Sequence, residues 1–188
     1  MEELFSNRPK ELKKLDLGRL QDGNWYQSER LVGMQLYVDR FNKNIQGLYN
    51  KLPYFDELGV NFIHLIPITT IPSGENNGGY AVNSYHEIDS KYGTNKEFST
   101  FTKQARKENM VLMLNFVVNH TSDEFEWAKK AKTGDVKYQN YYYTYPDRQI
   151  PDEFEKTIPE IFPKSAPDTF TYDKAMDKWV MTCFNTYQ

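Results

Sequence analysis

Residues 110–118 read Met-Val-Leu-Met-Leu-Asn-Phe-Val-Val, a nearly continuous apolar run interrupted by Asn115. The run does not alternate, so it predicts a strand apolar on both faces, as in a parallel sheet covered by helices. Just before it, residues 95–109 carry Phe98, Phe101, Thr102 and Ala105 at helical spacing. Residues 60–66 (Val-Asn-Phe-Ile-His-Leu-Ile) predict a second strand, ended by Pro67. Further upstream, Leu48, Leu52, Phe55 and Leu58 share one face of a helical pattern that Gly59 should stop and Pro53 should kink. Residues 31–38 form another short apolar run. Residues 31–118 therefore read strand, helix, strand, helix, strand. These are two β-α-β crossovers, the repeating unit of α/β folds.

The pattern changes on either side. Residues 1–30 are polar and mixed, with Leu4, Leu12, Leu15, Leu17 and Leu20 predicting a helical arm and Asp22-Gly23-Asn24 a turn. After residue 118, Thr121-Ser122-Asp123-Glu124 has the spacing of a capping box and predicts a helix to Lys132. Residues 138–188 are aromatic and proline-rich without a clear period, which predicts an irregular, self-packed insertion. The chain thus divides into 1–30, 31–118 and 119–188.

Composition narrows the function. The chain has 188 residues, 23 Lys+Arg against 26 Asp+Glu, a net charge of −3 and 15% aromatic residues. That balance argues against a general nucleic-acid binder, which needs clustered excess positive charge. No apolar run approaches the roughly 20 residues of a membrane span. The start, Met1-Glu2-Glu3-Leu4-Phe5, lacks the basic flank and apolar stretch of a secretory signal, which predicts a cytoplasmic chain. The single cysteine, Cys183, forms no intrachain disulfide and no thiolate cage.

Three polar, aromatic segments follow strands, where loops of parallel α/β sheets gather ligand groups. They are 77–85 (Asn-Gly-Gly-Tyr-Ala-Val-Asn-Ser-Tyr), 115–122 (Asn-Phe-Val-Val-Asn-His-Thr-Ser) and 182–188 (Thr-Cys-Phe-Asn-Thr-Tyr-Gln). Strand alternation would put Asn115, Val117 and Asn119 on one side, with His120 at the strand's end. Asp123, Glu124 and Glu126 suit the first turn of a helix better than an acid pair. Tyr141, Tyr142 and Tyr143 suit the insertion's own core better than a sugar platform. His64, His86 and His120 have no metal-ligand spacing, and the serine elbow and phosphate loop are both absent.

Asn-Phe-Val-Val-Asn-His at 115–120 resembles the D-x-x-x-N-H region of the alpha-amylase superfamily, and Gly79-Tyr80 resembles its loop after the second barrel strand. The resemblance is strongest to the amylosucrase-like branch. It extends over residues 24–188 through His64-Leu65-Ile66-Pro67, Gly78 to Tyr85, Tyr145-Pro146-Asp147-Arg148, Glu160-Ile161-Phe162-Pro163 and Trp179 to Gln188. It implies the first three β/α units of a (β/α)8 barrel of the TIM type, followed by an irregular domain-B insertion. A closed barrel takes about 250 residues, so the barrel is expected to be incomplete.

The resemblance also implies roles. Tyr80 would stack on a glucosyl ring, His120 would hydrogen-bond its hydroxyls, and Phe184 and Gln188 would line the pocket. Two positions depart from the pattern, Asn115 for the first aspartate and Asn77 for the acid before the glycine pair. An amide there still hydrogen-bonds but forms no ion pair. The sugar expected is sucrose or an α-glucan. The family's nucleophilic Asp, acid Glu and further Asp follow the fourth, fifth and seventh strands, so no catalytic residue is expected within these 188 and the isolated chain is expected to be inactive. The other reading is a non-catalytic sugar-binding or partner-contact protein. No cofactor is expected, and no metal either: Asn119 matches a position that can ligate calcium, but calcium takes six to eight oxygens. Unpaired strand edges predict either that the chain is a fragment of a longer enzyme or that it covers those edges by self-association.

Overall fold

The computed structural model describes residues 2–164 and 166–188. Met1, Ser165 and the Leu4 side chain expected in the arm lie outside the described residues. The chain opens with α1 (Glu2–Ser6), α2 (Lys10–Gln21), β1 (Gly33–Leu36), α3 (Val38–Asn42), α4 (Ile45–Tyr49) and α5 (Leu52–Glu57). It continues with β2 (Phe62–Leu65), β3 (Thr69–Thr70), β4 (Ser84–Ile88), α6 (Asn95–Lys107) and β5 (Val111–Leu114). The last part holds α7 (Glu126–Lys132), α8 (Val136–Gln139), β6 (Thr144–Tyr145), α9 (Gln149–Glu155), β7 (Phe170–Asp173) and β8 (Lys178–Met181).

Strands β1, β2 and β5 form a parallel sheet in the order β1-β2-β5, joined by two helical crossovers. Among the described residues the sheet is open, an α/β arrangement with three parallel strands and no closed barrel. Side chains alternate across a strand, and neighbouring partners share a face. One face carries Leu36 and Leu65, with Ile63, Met34 and Leu112, and packs on Leu48, Leu52, Phe55, Phe101 and Ala105 of the helices. The other carries the row Gln35, His64 and Met113.

That second face corrects the expectation for residues 110–118. The run is helix-covered on one side only. Met113 on the uncovered face is 44% exposed, Leu114 beside Leu65 on the packed face is still 41% exposed, and Phe116 and Val118, beyond the strand's end, are 67% and 74% exposed. The physical reason is that the helices pack on one face of the whole sheet and leave the row Gln35, His64 and Met113 outside that core, while the edge position of β5 adds the exposure of Leu114.

Helix ends follow local chemistry. In α6 the Thr94 hydroxyl accepts from the Glu97 amide, and the Glu97 carboxylate accepts from the Thr94 amide. Pro53 does more than kink its helix. It sits in the first turn of a new helix, α5, where a missing N–H costs nothing, and α4 ends before it. Gly59 ends α5 at φ +72°, as expected of a left-handed stop. Pro9, the N-cap residue just before α2, divides the arm into α1 and α2.

Two other expectations are corrected. The capping box at 121–124 does not form: α7 begins at Glu126 after Phe125, with no side-chain cap. Ser122 Oγ instead accepts from the Glu124 amide, and Thr121 Oγ1 pairs with the Tyr142 hydroxyl, so the hydroxyls serve a turn and a tertiary contact. The insertion is not wholly irregular, since β6, β8 and β7 form an antiparallel sheet. Its strands are short, and Tyr172 pairs with Trp179 across them. Of the three consecutive tyrosines, Tyr142 joins Val82, Phe125, Ala128 and Val117 in a small second core, while Tyr141 and Tyr143 are 51% and 70% exposed.

Candidate active site

The turn before Tyr80 depends on its glycines. Asn76 Oδ1 accepts from the Gly79 amide at 3.1 Å, and the Asn76 carbonyl accepts from the Ala81 amide at 3.1 Å. Gly78 and Gly79 adopt φ +65° and +99°, and a Cβ on Gly79 would stand 3.3 Å from the Pro67 carbonyl oxygen. The tight turn therefore presses against the end of β2 and delivers Tyr80 there.

Asn115 follows β5 directly, and its Nδ2 donates to the Tyr80 hydroxyl at 2.7 Å. Its Oδ1 lies 2.5 Å from His64 Nε2. The register explains the meeting: His64 pairs with Met113, and Asn115 lies two residues further on. Segment 115–118 leaves the strand pattern after Leu114, and Asn119 is exposed, so the shared side expected for 115, 117 and 119 does not extend to Asn119. The Tyr85 hydroxyl pins the segment by donating to the Val117 carbonyl at 2.6 Å, while its ring packs against Phe116 and Phe125.

His120 is the junction. Its Nε2 lies 3.2 Å from the Tyr80 carbonyl oxygen and 3.0 Å from Gln188 Nε2, and its Nδ1 lies 3.3 Å from Asn119 Nδ2. The Phe184 ring meets it edge-on at 5.5 Å between centroids. Phe184 adopts φ +71° and also packs on Phe162. Burial holds the imidazole pKa below its ordinary 6.5, against the opposing pull of the Tyr80 carbonyl. The ring is therefore neutral at pH 7.

Five of the six residues singled out from sequence come together: Tyr80 with Asn115 and His120, and His120 with Phe184 and Gln188. Asn77 reaches the group through its backbone, its carbonyl accepting from the Tyr80 amide at 3.4 Å. Gln188 is buried and lines a cavity of about 300 Å³ with Lys132, Asp123 and Asp173. Phe184 and Asn119 line a second cavity of about 310 Å³ with Cys183. Two partners were not singled out. His64 was discoverable from the period-two reading that aligns it with the row leading to Asn115. Asn83, which accepts from the buried Ser122 hydroxyl, left no local signal because the two lie on different loops.

The gathered groups are amides, two imidazoles, a phenol and a phenyl ring. Flat rings and fixed donors of this kind suit a polyhydroxylated ligand, whose apolar faces stack and whose hydroxyls bond at the rim. None of the gathered side chains is a carboxylate, whereas retaining glycoside cleavage uses two of them about 5–5.5 Å apart. Among the described residues, no group of three His, Cys, Asp or Glu could hold a metal ion. Among them, too, no helix is long and apolar enough to cross a membrane.

Comparison with known proteins agrees over most of the chain. The family model of the alpha-amylase catalytic domain matches residues 34–188. An oligo-1,6-glucosidase of Parageobacillus thermoglucosidasius is 31% identical over 148 residues, covering 77% of this chain and 25% of that protein. An oligo-1,6-glucosidase of Bacillus cereus is 36% identical over 107 residues, covering 56% of this chain and 19% of that protein. The isomaltulose synthase SmuA from Protaminobacter rubrum superposes with a TM-score of 0.71 at 26% identity, covering 85% of this chain and 29% of that one. A MutB mutant solved with the substrate sucrose gives the same TM-score of 0.71, identity of 26% and coverages of 85% and 29%. The chain spans about a fifth to a quarter of the length of the curated relatives it matches.

Proposed function

The chain belongs to the alpha-amylase family, and from that premise we propose that it is the N-terminal part of a cytoplasmic enzyme acting on α-glucosidic bonds by amylosucrase-like glucosyl transfer or by hydrolysis. Strands β1, β2 and β5 are then the first three units of the barrel, and residues 119–188 its domain B. The sugar is sucrose or an α-glucan. Tyr80 stacks on the glucosyl ring, His120 bonds its hydroxyls, and Phe184 and Gln188 close the pocket, with Asn77 and Asn115 at its margin. The observation that carries this reading is the meeting at His120 of Tyr80, Phe184 and Gln188 from three separate segments.

The 188 residues alone are expected to bind sugar without cleaving it, because the gathered side chains include no acid. The test is direct. Purified chain is incubated with sucrose and with starch, fructose release and chain shortening are followed, and glucose binding is read by nuclear magnetic resonance. Binding without turnover is expected. Turnover by the 188-residue chain, or no binding at all, overturns the proposal.

A second reading rests on Asn77 and Asn115, amides where this family's pattern has acids: an amylase-like protein that binds sugar or a partner without catalysis. The reading frame beyond residue 188 separates the two. Encoded Asp, Glu and Asp motifs favour the enzyme, and their loss favours the binding protein.

The open edges of the parallel sheet support self-association as well, since β5 carries exposed Met113 and Leu114 beside unpaired backbone.

A further inference from the structure

Resting on the sugar-binding reading of Tyr80, we infer that His64 is a positioning residue that, through Asn115, leaves the Tyr80 hydroxyl proton free to be donated to the ligand. An asparagine side chain has one end that accepts and one that donates. His64 Nε2 faces the accepting end, Asn115 Oδ1, at 2.5 Å. A hydrogen bond there requires the proton on Nε2. The amide is then oriented with Nδ2 toward the Tyr80 hydroxyl at 2.7 Å, where it donates. The hydroxyl oxygen is thereby an acceptor, and among the described residues this is the one hydrogen bond it makes, so its proton is left without an acceptor.

An aspartate at position 115 would reverse the last bond. A carboxylate has no proton to give, so the phenol would donate to it and its proton would be spent within the protein. The asparagine turns Tyr80 outward as a donor. The group it recognises is an uncharged acceptor oxygen, a ring or hydroxyl oxygen of a hexose. His64 acts at one remove: without its N–H the amide is free to turn over and offer Oδ1 to the phenol.

The experiment uses the full chain and methyl α-glucoside. Long-range proton–nitrogen spectra report the His64 tautomer. The tyrosine Raman doublet, taken as wild type minus Tyr80→Phe, reports whether the phenol accepts or donates. The expected result is the Nε2–H tautomer, an accepting phenol in wild type and a donating phenol in Asn115→Asp, with methyl α-glucoside bound about three- to tenfold more weakly by that variant. His64→Gln, which keeps an N–H donor, should retain the wild-type doublet, and His64→Leu should lose it. Circular dichroism checks that each variant folds, and the tautomer measurement on wild type needs no variant. An Nδ1–H tautomer, or a doublet unchanged in Asn115→Asp, overturns the inference. Failure of wild type to bind methyl α-glucoside, with tautomer and doublet as expected, overturns the sugar-binding reading and leaves the hydrogen-bond direction standing.

Discussion

His120 and Gln188 meet with their Nε2 atoms 3.0 Å apart, while the same His120 nitrogen lies 3.2 Å from the Tyr80 carbonyl. The two partners make opposite demands. The carbonyl asks for a proton on Nε2, and the amide nitrogen asks for a lone pair. Replacing Gln188 with Glu removes the conflict by adding an acceptor and a negative charge beside the ring. The imidazole pKa in Gln188→Glu should rise relative to wild type, read from a proton–carbon titration of the His120 ring. An unchanged midpoint would show that the two side chains do not meet in solution.

The buried imidazole also couples stability to pH. Its folded pKa lies below the ordinary 6.5, so below that value the unfolded chain takes up a proton before the folded chain does. The contribution is fully present above about pH 6.5 and is lost as pH falls toward the folded value. Urea midpoints measured from pH 7.5 down to 5 should therefore decline less steeply in His120→Gln than in wild type. Parallel slopes would count against burial as the cause.

Phe55 and Phe101 are both fully buried between the parallel sheet and its helices. Phe55→Ala or Phe101→Ala should each cost about 3–5 kcal/mol in urea unfolding, the usual loss for a buried phenyl that leaves a cavity. A loss below about 1 kcal/mol would mean that the helices do not hold against the sheet in solution.

The reciprocal bonds between Thr94 and Glu97 predict a smaller effect. Thr94→Ala should destabilise by about 0.5–2 kcal/mol, seen as a lower urea midpoint with an unchanged slope. The corresponding change at Thr121 removes no cap, because Thr121 Oγ1 bonds Tyr142 instead.

Self-association is tested at the sheet edge. Leu114→Lys puts a charge beside exposed Met113 on β5 and should shift the chain toward monomer in light scattering at matched concentration. Identical masses for variant and wild type would remove the edge as the contact.

The parallel sheet was open to sequence reading because its strands carry dense apolar runs and its helices carry period and caps, as at Thr94 and Gly59. All five gathered site residues lie in the stretches that follow β2 and β5 or in the polar tail, places where glycines or isolated polar groups mark function. The small sheet of the insertion was not open to it. Strands as short as Thr144–Tyr145 hold too few residues to show alternation, and their identity comes from the partner strand. The Ser122 turn misled for a related reason: a hydroxyl two residues before an amide competes with the cap one residue further on, and tertiary contacts chose the turn. One-sided coverage of β5 follows from the helices packing on a single face of the whole sheet, which no local pattern encodes.

The β7–β8 hairpin closes within a dozen or so residues, whereas every pairing in the parallel sheet spans a whole crossover. Local closure takes on the order of microseconds, and long-range parallel pairing is slower by orders of magnitude. The contact that closes the site is therefore long-range: Phe184 and Gln188, just past the hairpin, reach their places only against His120, which for Gln188 lies 68 residues back along the chain.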